Sequence, residues 1–404
     1  MTSYRLICEK CGKEYQKEKI YRCPCSGRLE VHMNIEEIEV SMKEVMRRKG
    51  NLLRKYLEFL PLEFSTRTLG EGFTPIVKAE RLCEVIGLKN LYLKNETVNP
   101  TGSFKDRPIV VGANKAFEFG ASVLASASSG NAATSLAAWC ARYGLRCVTF
   151  VPEDAPKAKL AQLQMLGAKV YRVKSIKGDE HQDPTADMLE KCVERYGWHP
   201  VPSFGTFNPY QIEGAKTLAY ELAEDVDADA VVVPVGGAGL LLGTLKGYME
   251  YTNLGWIEKT PLIHAVQSEG CSPLVKAWKE KKEIVPWNNP KTVAGGIADP
   301  YTWDGNAALK LMWKNGGTAV DVSDKLILEA QKYLARYAGI FAEPTGSASL
   351  AGIIALKEQG VIRRDETVVC LVTGSGFKDL DVLSREISET PVIDPDPEVV
   401  RRCS

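Results

Sequence analysis

The sequence predicts an α/β protein: two doubly wound units of parallel sheet and helix, preceded by a small cysteine-bearing segment. Three observations carry that expectation. Short β-branched runs alternate with amphipathic helical stretches along most of the chain, the pattern of a parallel sheet wrapped by helices. The chain has 404 residues, more than one hydrophobic core usually serves, so at least two packed units are expected. Four of the eleven cysteines fall in two close pairs, Cys8/Cys11 and Cys23/Cys25, ahead of the first such alternation.

Composition narrows the function classes. Apolar residues make up 45% of the chain, enough for a large core. Lys+Arg and Asp+Glu both number 51, so no basic field draws in nucleic acid. No apolar run reaches the length of a membrane span. The opening Met1-Thr2-Ser3-Tyr4-Arg5 has no apolar signal core, so the expected compartment is the cytoplasm and the thiols are expected to stay reduced.

In chain order, the paired cysteines come first. Four thiolates on two turns can close a tetrahedral zinc site, which would be structural because no coordination position stays open. The second pair, C-x-C, is tighter than the usual C-x2-C. Ile35–Leu60 places charged and apolar residues at helical spacing and predicts one amphipathic helix. Glu71-Gly72-Phe73-Thr74-Pro75 is a turn, and Leu91–Leu93 a strand. The polar, Gly/Pro-punctuated stretch Asn99–Pro108 follows, then a helix over Ile109–Phe119. Strands are expected at Val123–Ser126, Cys147–Val151 and Lys169–Val173, with helices at Asn131–Tyr143 and Lys157–Leu166. Farther on come a helix Gln211–Ala223 and strands Ala230–Val235 and Glu366–Val372. The Pro/Asp-rich end from Ile387 reads as an extended, weakly ordered tail.

Lys105 sits in that polar turn, between a strand and a helix. A desolvated lysine amine there is a nucleophile able to form a Schiff base with an aldehyde. Its surroundings, Asn99-Pro100-Thr101-Gly102-Ser103-Phe104-Lys105-Asp106-Arg107, resemble the lysine loop of fold-type II pyridoxal-phosphate (PLP) enzymes, and among them the threonine synthase family. The resemblance covers nearly the whole chain, since similar C-x2-C…C-x-C segments and E-G-x-T-P turns occur in that family. It implies a tryptophan-synthase-β-like architecture. Residues 1–33 would be a zinc-ribbon-like segment, residues 34–110 and 208–386 the large PLP-binding domain, 111–207 a small inserted domain, and 387–404 the tail. Lys105 would then carry PLP as a Schiff base and do the acid–base work, because none of the four histidines, His32, His181, His199 and His264, lies in a motif.

Further motifs fit the same pattern. Ser128-Ser129-Gly130-Asn131 opens a helix, where exposed amides favour an anion. By resemblance Ser128, Ser129 and Gly130 receive the substrate carboxylate and Asn131 meets the cofactor's 3′-oxygen. Gly236-Gly237-Ala238-Gly239-Leu240 follows a buried strand and can close its amides round a phosphate. By resemblance Thr373 meets the pyridine nitrogen, and a neutral hydroxyl there suits elimination and replacement more than transamination. Lys159 matches a family lysine in G-K-L-A-Q and would face a phosphorylated substrate. Glu343-Pro344-Thr345-Gly346-Ser347 resembles a loop near the cofactor.

Several positions depart from the family pattern. Ala132 replaces a hydroxyl residue, Gly237 and Leu240 replace asparagines, and Gln211 stands where N-P-x-R-x-E-G-Q-K has arginine. Ala294–Asp299 likewise lacks the arginine of A-T-A-I-R-I-G. These changes lead to the expectation of cysteate synthase chemistry, in the branch that serves coenzyme M biosynthesis: phosphate leaves O-phosphoserine and sulfite adds at Cβ. The alternative is threonine formation from O-phosphohomoserine and water. An amino-acid ammonia-lyase is a third reading, which the glycine-rich loop partly resembles, and an intact lysine loop disfavours a non-catalytic PLP-binding protein. The partners expected are a small phosphorylated amino acid and sulfite, with the chain assembling as a homo-oligomer.

Overall fold

A computed structural model describes residues 3–174, 183–383 and 390–395, apart from the side chains of 158, 159, 382 and 383. Three sheets organise it. The first is antiparallel, order β2-β1-β3, from β1 (Tyr4–Cys8), β2 (Glu14–Gln16) and β3 (Leu29–Met33). The second has six strands. Its parallel members are β12 (Ala319–Val322), β11 (Leu262–Ser268), β10 (Ala230–Pro234), β13 (Thr367–Val372) and β5 (Asn90–Asn95), in that spatial order, and β4 (Ile76–Lys78) closes the edge antiparallel. The third is parallel, from β8 (Lys169–Val173), β7 (Arg146–Pro152), β6 (Val123–Ala127) and β9 (His199–Pro200). Parallel strands are covered on both faces and read as continuous apolar runs. β10 is buried at every position and β13 at all but its first, which is why both were legible.

The expected helix over Ile35–Leu60 is corrected to a series of short turns. Ser41 and Glu44 form a capping box that starts Met42–Arg47. Arg48 then turns to extended backbone, Gly50 takes φ +120°, and Asn51 caps a new turn, Leu52–Lys55. The apolar residues still share one face: Val45, Leu52, Leu53, Tyr56 and Phe59 are fully buried in one core with Tyr220 and Tyr251. Successive short turns therefore imitate the spacing of one helix.

The helix expected over Gln211–Ala223 breaks at Lys216 into Tyr210–Ala215 and Thr217–Asp225. The first piece lies against the helix Asp106–Glu118 that follows the lysine loop. A Cβ on Gly214 would sit 2.2 Å from the Arg107 carbonyl, so only glycine permits that approach. The tail from Ile387 lies outside the described residues except for 390–395, which are exposed.

Candidate active site

Each residue of the lysine loop has a local task. Gly102 takes φ +79° and turns the chain. Asp106 accepts hydrogen bonds from the Thr101 backbone N–H (2.8 Å) and hydroxyl (2.6 Å). Asn99 donates to the Glu96 carboxylate at 2.8 Å and accepts from the Gly72 N–H at 3.0 Å. Arg107 is fully buried and pairs with Glu96 at 2.7 Å and Glu221 at 2.8 Å, and Lys94 joins Glu221 at 2.6 Å. Phe104 N–H donates to the Thr373 carbonyl at 2.9 Å, and Ser375 N–H donates to the Gly102 carbonyl at 2.9 Å. The loop after β5 is thus tied to the loop after the neighbouring β13, and Lys105 enters the cleft from a fixed backbone.

That cleft is a cavity of about 410 Å³ where loops after β5, β6, β10 and β13 meet, at the carboxyl ends of parallel strands. Lys105, Ser128, Ser129, Gly130, Asn131, Gly236, Gly237, Ala238, Gly239, Leu240 and Thr373 all line it. Lys159 falls on the helix Lys157–Met165, and its side chain lies outside the described residues. Gln162, on the same helix, lines the cavity and accepts from Lys378 Nζ at 3.1 Å. Lys378 also donates to the Thr101 carbonyl at 3.1 Å, which places a cation on this flank.

Three features fit the cavity to a phosphorylated pyridine aldehyde. The Lys105 amine is desolvated, which lowers its pKa from 10.5 to about 8 against the opposing pull of Asp299, Asp304 and Glu343. Ala238 at φ +67° opens the helix Gly239–Asn253, so a glycine-rich turn presents amides at a helix start. Thr373 Oγ1 is buried with no hydrogen-bond partner among the described residues, although it lines the cavity. Asn131 Nδ2 donates to Glu343 Oε1 at 2.9 Å, which joins the loop after β6 to Glu343.

Sequence reasoning missed three residues. Ser203, at φ +76°, accepts a 2.9 Å hydrogen bond from Lys105 Nζ. Asp299 lines the cavity, and burial raises its pKa to about 6. Asp304 sits beneath the glycine-rich turn and accepts the Gly205 and Thr206 N–H groups at 2.8 and 3.0 Å. The one signal in the sequence is the acid that follows the glycines in Gly295-Gly296-Ile297-Ala298-Asp299. Gln211 is fully buried and accepts the Ser203 N–H at 3.0 Å, a packing task in place of a cation's.

A second centre lies in the three-stranded sheet. The sulfurs of Cys8, Cys11, Cys23 and Cys25 lie within 4.8 Å of one another. The separations are 3.5 Å for Cys8–Cys25, 3.7 Å for Cys11–Cys23 and 3.4 Å for Cys23–Cys25. A tetrahedral zinc with bonds of about 2.3 Å spaces its sulfurs by about 3.8 Å, so the cluster fits that ion. The cluster depends on Gly27, where a Cβ would meet Cys8 Sγ at 2.5 Å and Cys25 Sγ at 3.2 Å.

Comparison with known proteins agrees with the cavity. Residues 67–374 match the model of the pyridoxal-phosphate dependent enzyme family. Threonine synthase of Methanocaldococcus jannaschii is 39% identical over 404 residues, covering 98% of each chain. Threonine synthase of Methanosarcina acetivorans is 40% identical, again over 98% of each. Among solved structures, tomato (Solanum lycopersicum) threonine deaminase isoform 2 superimposes with a TM-score of 0.64 at 25% identity, over 77% of this chain and 86% of that one. Escherichia coli diaminopropionate ammonia lyase shares the fold, with a TM-score of 0.66 at 15% identity over 95% and 96% of the two chains. With its lysine loop, its cavity and these relatives spanning its length, the chain belongs to the pyridoxal-phosphate-dependent enzymes, within the threonine synthase family.

Proposed function

We propose that this PLP-dependent enzyme of the threonine synthase type forms L-threonine from O-phospho-L-homoserine and water, releasing phosphate. The observation that carries the reading is the 39–40% identity, over 98% of both chains, to two threonine synthases. It displaces the cysteate reading from first place. Bound PLP supplies an electron sink that acidifies the substrate's Cα–H. The protein's own groups do the rest. Lys105 holds the cofactor, takes the Cα proton and returns protons farther along the chain, with an amine already tuned to about 8. Ser128, Ser129 and Gly130 offer amides at the start of the helix Asn131–Tyr143 to the substrate carboxylate. Asn131 steadies the cofactor's oxygen, the turn Gly236–Leu240 holds its phosphate, and the Thr373 hydroxyl is the neutral partner of its ring nitrogen. The substrate's own phosphate would meet the Lys378 cation that lines the cavity, and Lys159 is assigned to it by its sequence match alone.

One observation favours the second reading, β-replacement of O-phosphoserine by sulfite. Gln211 occupies a family arginine position and is buried in packing, and Ala298, next to Asp299 in the cavity lining, stands where a second arginine is lost. A cleft without those cations holds a long phosphorylated side chain less firmly. The deciding experiment offers purified holoenzyme O-phosphohomoserine, or O-phosphoserine with sulfite, and follows phosphate and amino-acid products. Threonine with phosphate supports the first reading. Sulfite-dependent cysteate with no threonine overturns it.

A further inference from the structure

The cysteine-bearing segment reaches the cavity through one buried contact. Arg28, three residues past Cys25, donates from Nε to Asp304 Oδ1 at 3.0 Å. Asp304 is fully buried and the Arg28 side chain is only 9% exposed. Glu9, on the same segment, accepts from Arg28 Nη1 at 2.7 Å and fixes the guanidinium from behind. Asp304 spends its remaining capacity on the active-site loops. It accepts the N–H groups of Gly205 and Thr206, and its own N–H donates to the Gly237 carbonyl at 2.9 Å. Gly205 and Thr206 continue from Ser203, which holds Lys105 Nζ, and from Phe204, whose ring packs against Gly237. There is no slack in this stack. A Cβ on Gly205 would fall within 3 Å of Asp304 Oδ1 and Arg28 Nη2 together.

We infer that Arg28 and Asp304 are a positioning pair, by which the folded cysteine segment sets the loops that hold Lys105 and the cofactor phosphate. Two elements of the cavity, the Ser203 loop and the Gly236–Gly239 turn, share Asp304 as their common anchor, and Arg28 supplies the cation for that buried carboxylate. Without it, a buried charge keeps only neutral donors. Asp304 then draws in water or rotates, and both loops loosen together. The inference rests on the reading of the cavity as the PLP site.

The test measures PLP dissociation constants, the pH titration of the visible band of the lysine-bound cofactor, and Tm, on full-length protein. Arg28→Ala and the isosteric Asp304→Asn should each weaken PLP binding at least tenfold and displace the band's titration, and Arg28→Lys should recover part of the loss. Tyr21→Phe is the control, because it removes a 2.6 Å contact to His199 between the same segment and the body without touching Asp304. Its PLP affinity should stay within twofold of wild type. PLP affinity unchanged in both Arg28→Ala and Asp304→Asn, or an equal loss in Tyr21→Phe, overturns the positioning role. Should Arg28→Ala fail to fold, Arg28→Lys and Asp304→Asn carry the comparison. A visible band that survives in Lys105→Ala would instead overturn the cavity reading itself.

Discussion

At Lys105, burial and charge pull in opposite directions. Burial lowers the amine's pKa to about 8, while Asp299, Asp304 and Glu343 hold it up. Only the neutral amine attacks an aldehyde. Capture of PLP by cofactor-free protein should therefore speed up with pH and level off above about 8. Asp299→Asn removes an opposing charge, so the plateau should begin at lower pH, which stopped-flow absorbance can read. Linkage gives a second expectation. Between about 8 and 10.5 the unfolded chain keeps a proton at this lysine that the native chain has lost, so cofactor-free stability from this group rises with pH across that window. Lys105→Met should stabilise the cofactor-free protein at pH 7, by an amount that fades toward pH 10.5. Borohydride reduction of holoenzyme should place the pyridoxyl group on Lys105, and Lys105→Ala should lose turnover. That Lys105, Asn131 and Thr373 line one cavity was legible because each lies in a contiguous motif. Ser203 and Asp304 were not, because only the fold brings residues 98 and more positions away to the lysine.

The elements around the lysine are held by charge as well as by apolar packing. Burial opposes the Glu221 carboxylate, yet Arg107 and Lys94 bring its pKa down to about 2. Arg107→Met leaves Glu96 and Glu221 buried with one cation fewer, and should cost about 3–5 kcal/mol in denaturant unfolding. The sign with pH follows from the depressed carboxylate. The wild-type advantage is full above about 4.5 and shrinks as pH falls toward 2. An Arg107→Met protein with unchanged stability would show that this network contributes nothing net. Element type was largely legible. The helix Asn131–Tyr143 and the strand Lys169–Val173 stand where apolar periodicity put them. Ile35–Leu60 failed because spacing alone cannot tell one helix from consecutive turns, although Gly50 and Asn51 were already stop and start signals in the text of the chain.

Across the molecule, the cysteine segment is packed as part of the body. Tyr4, Leu6, Tyr15, Leu29 and Val31 share a core with Tyr210, and Lys246 donates to the Val31 carbonyl at 2.8 Å. Metal analysis should find about one zinc per chain, lost in the variant with Ser at Cys8, Cys11, Cys23 and Cys25. That variant should melt several degrees lower in a single transition. An unchanged zinc content would remove the metal site, and an unchanged main transition would show that the segment folds apart from the body. The Arg28–Asp304 contact also has a consequence in time. The two residues are 276 positions apart, and at ribosomal rates of roughly 5–20 residues per second that gap lasts about 15–55 s. The cysteines of a nascent chain are synthesised and able to gather metal well before the aspartate that receives their neighbour exists. Metal supply during synthesis, rather than after it, would then decide what fraction of new chains closes around a correctly shaped pocket.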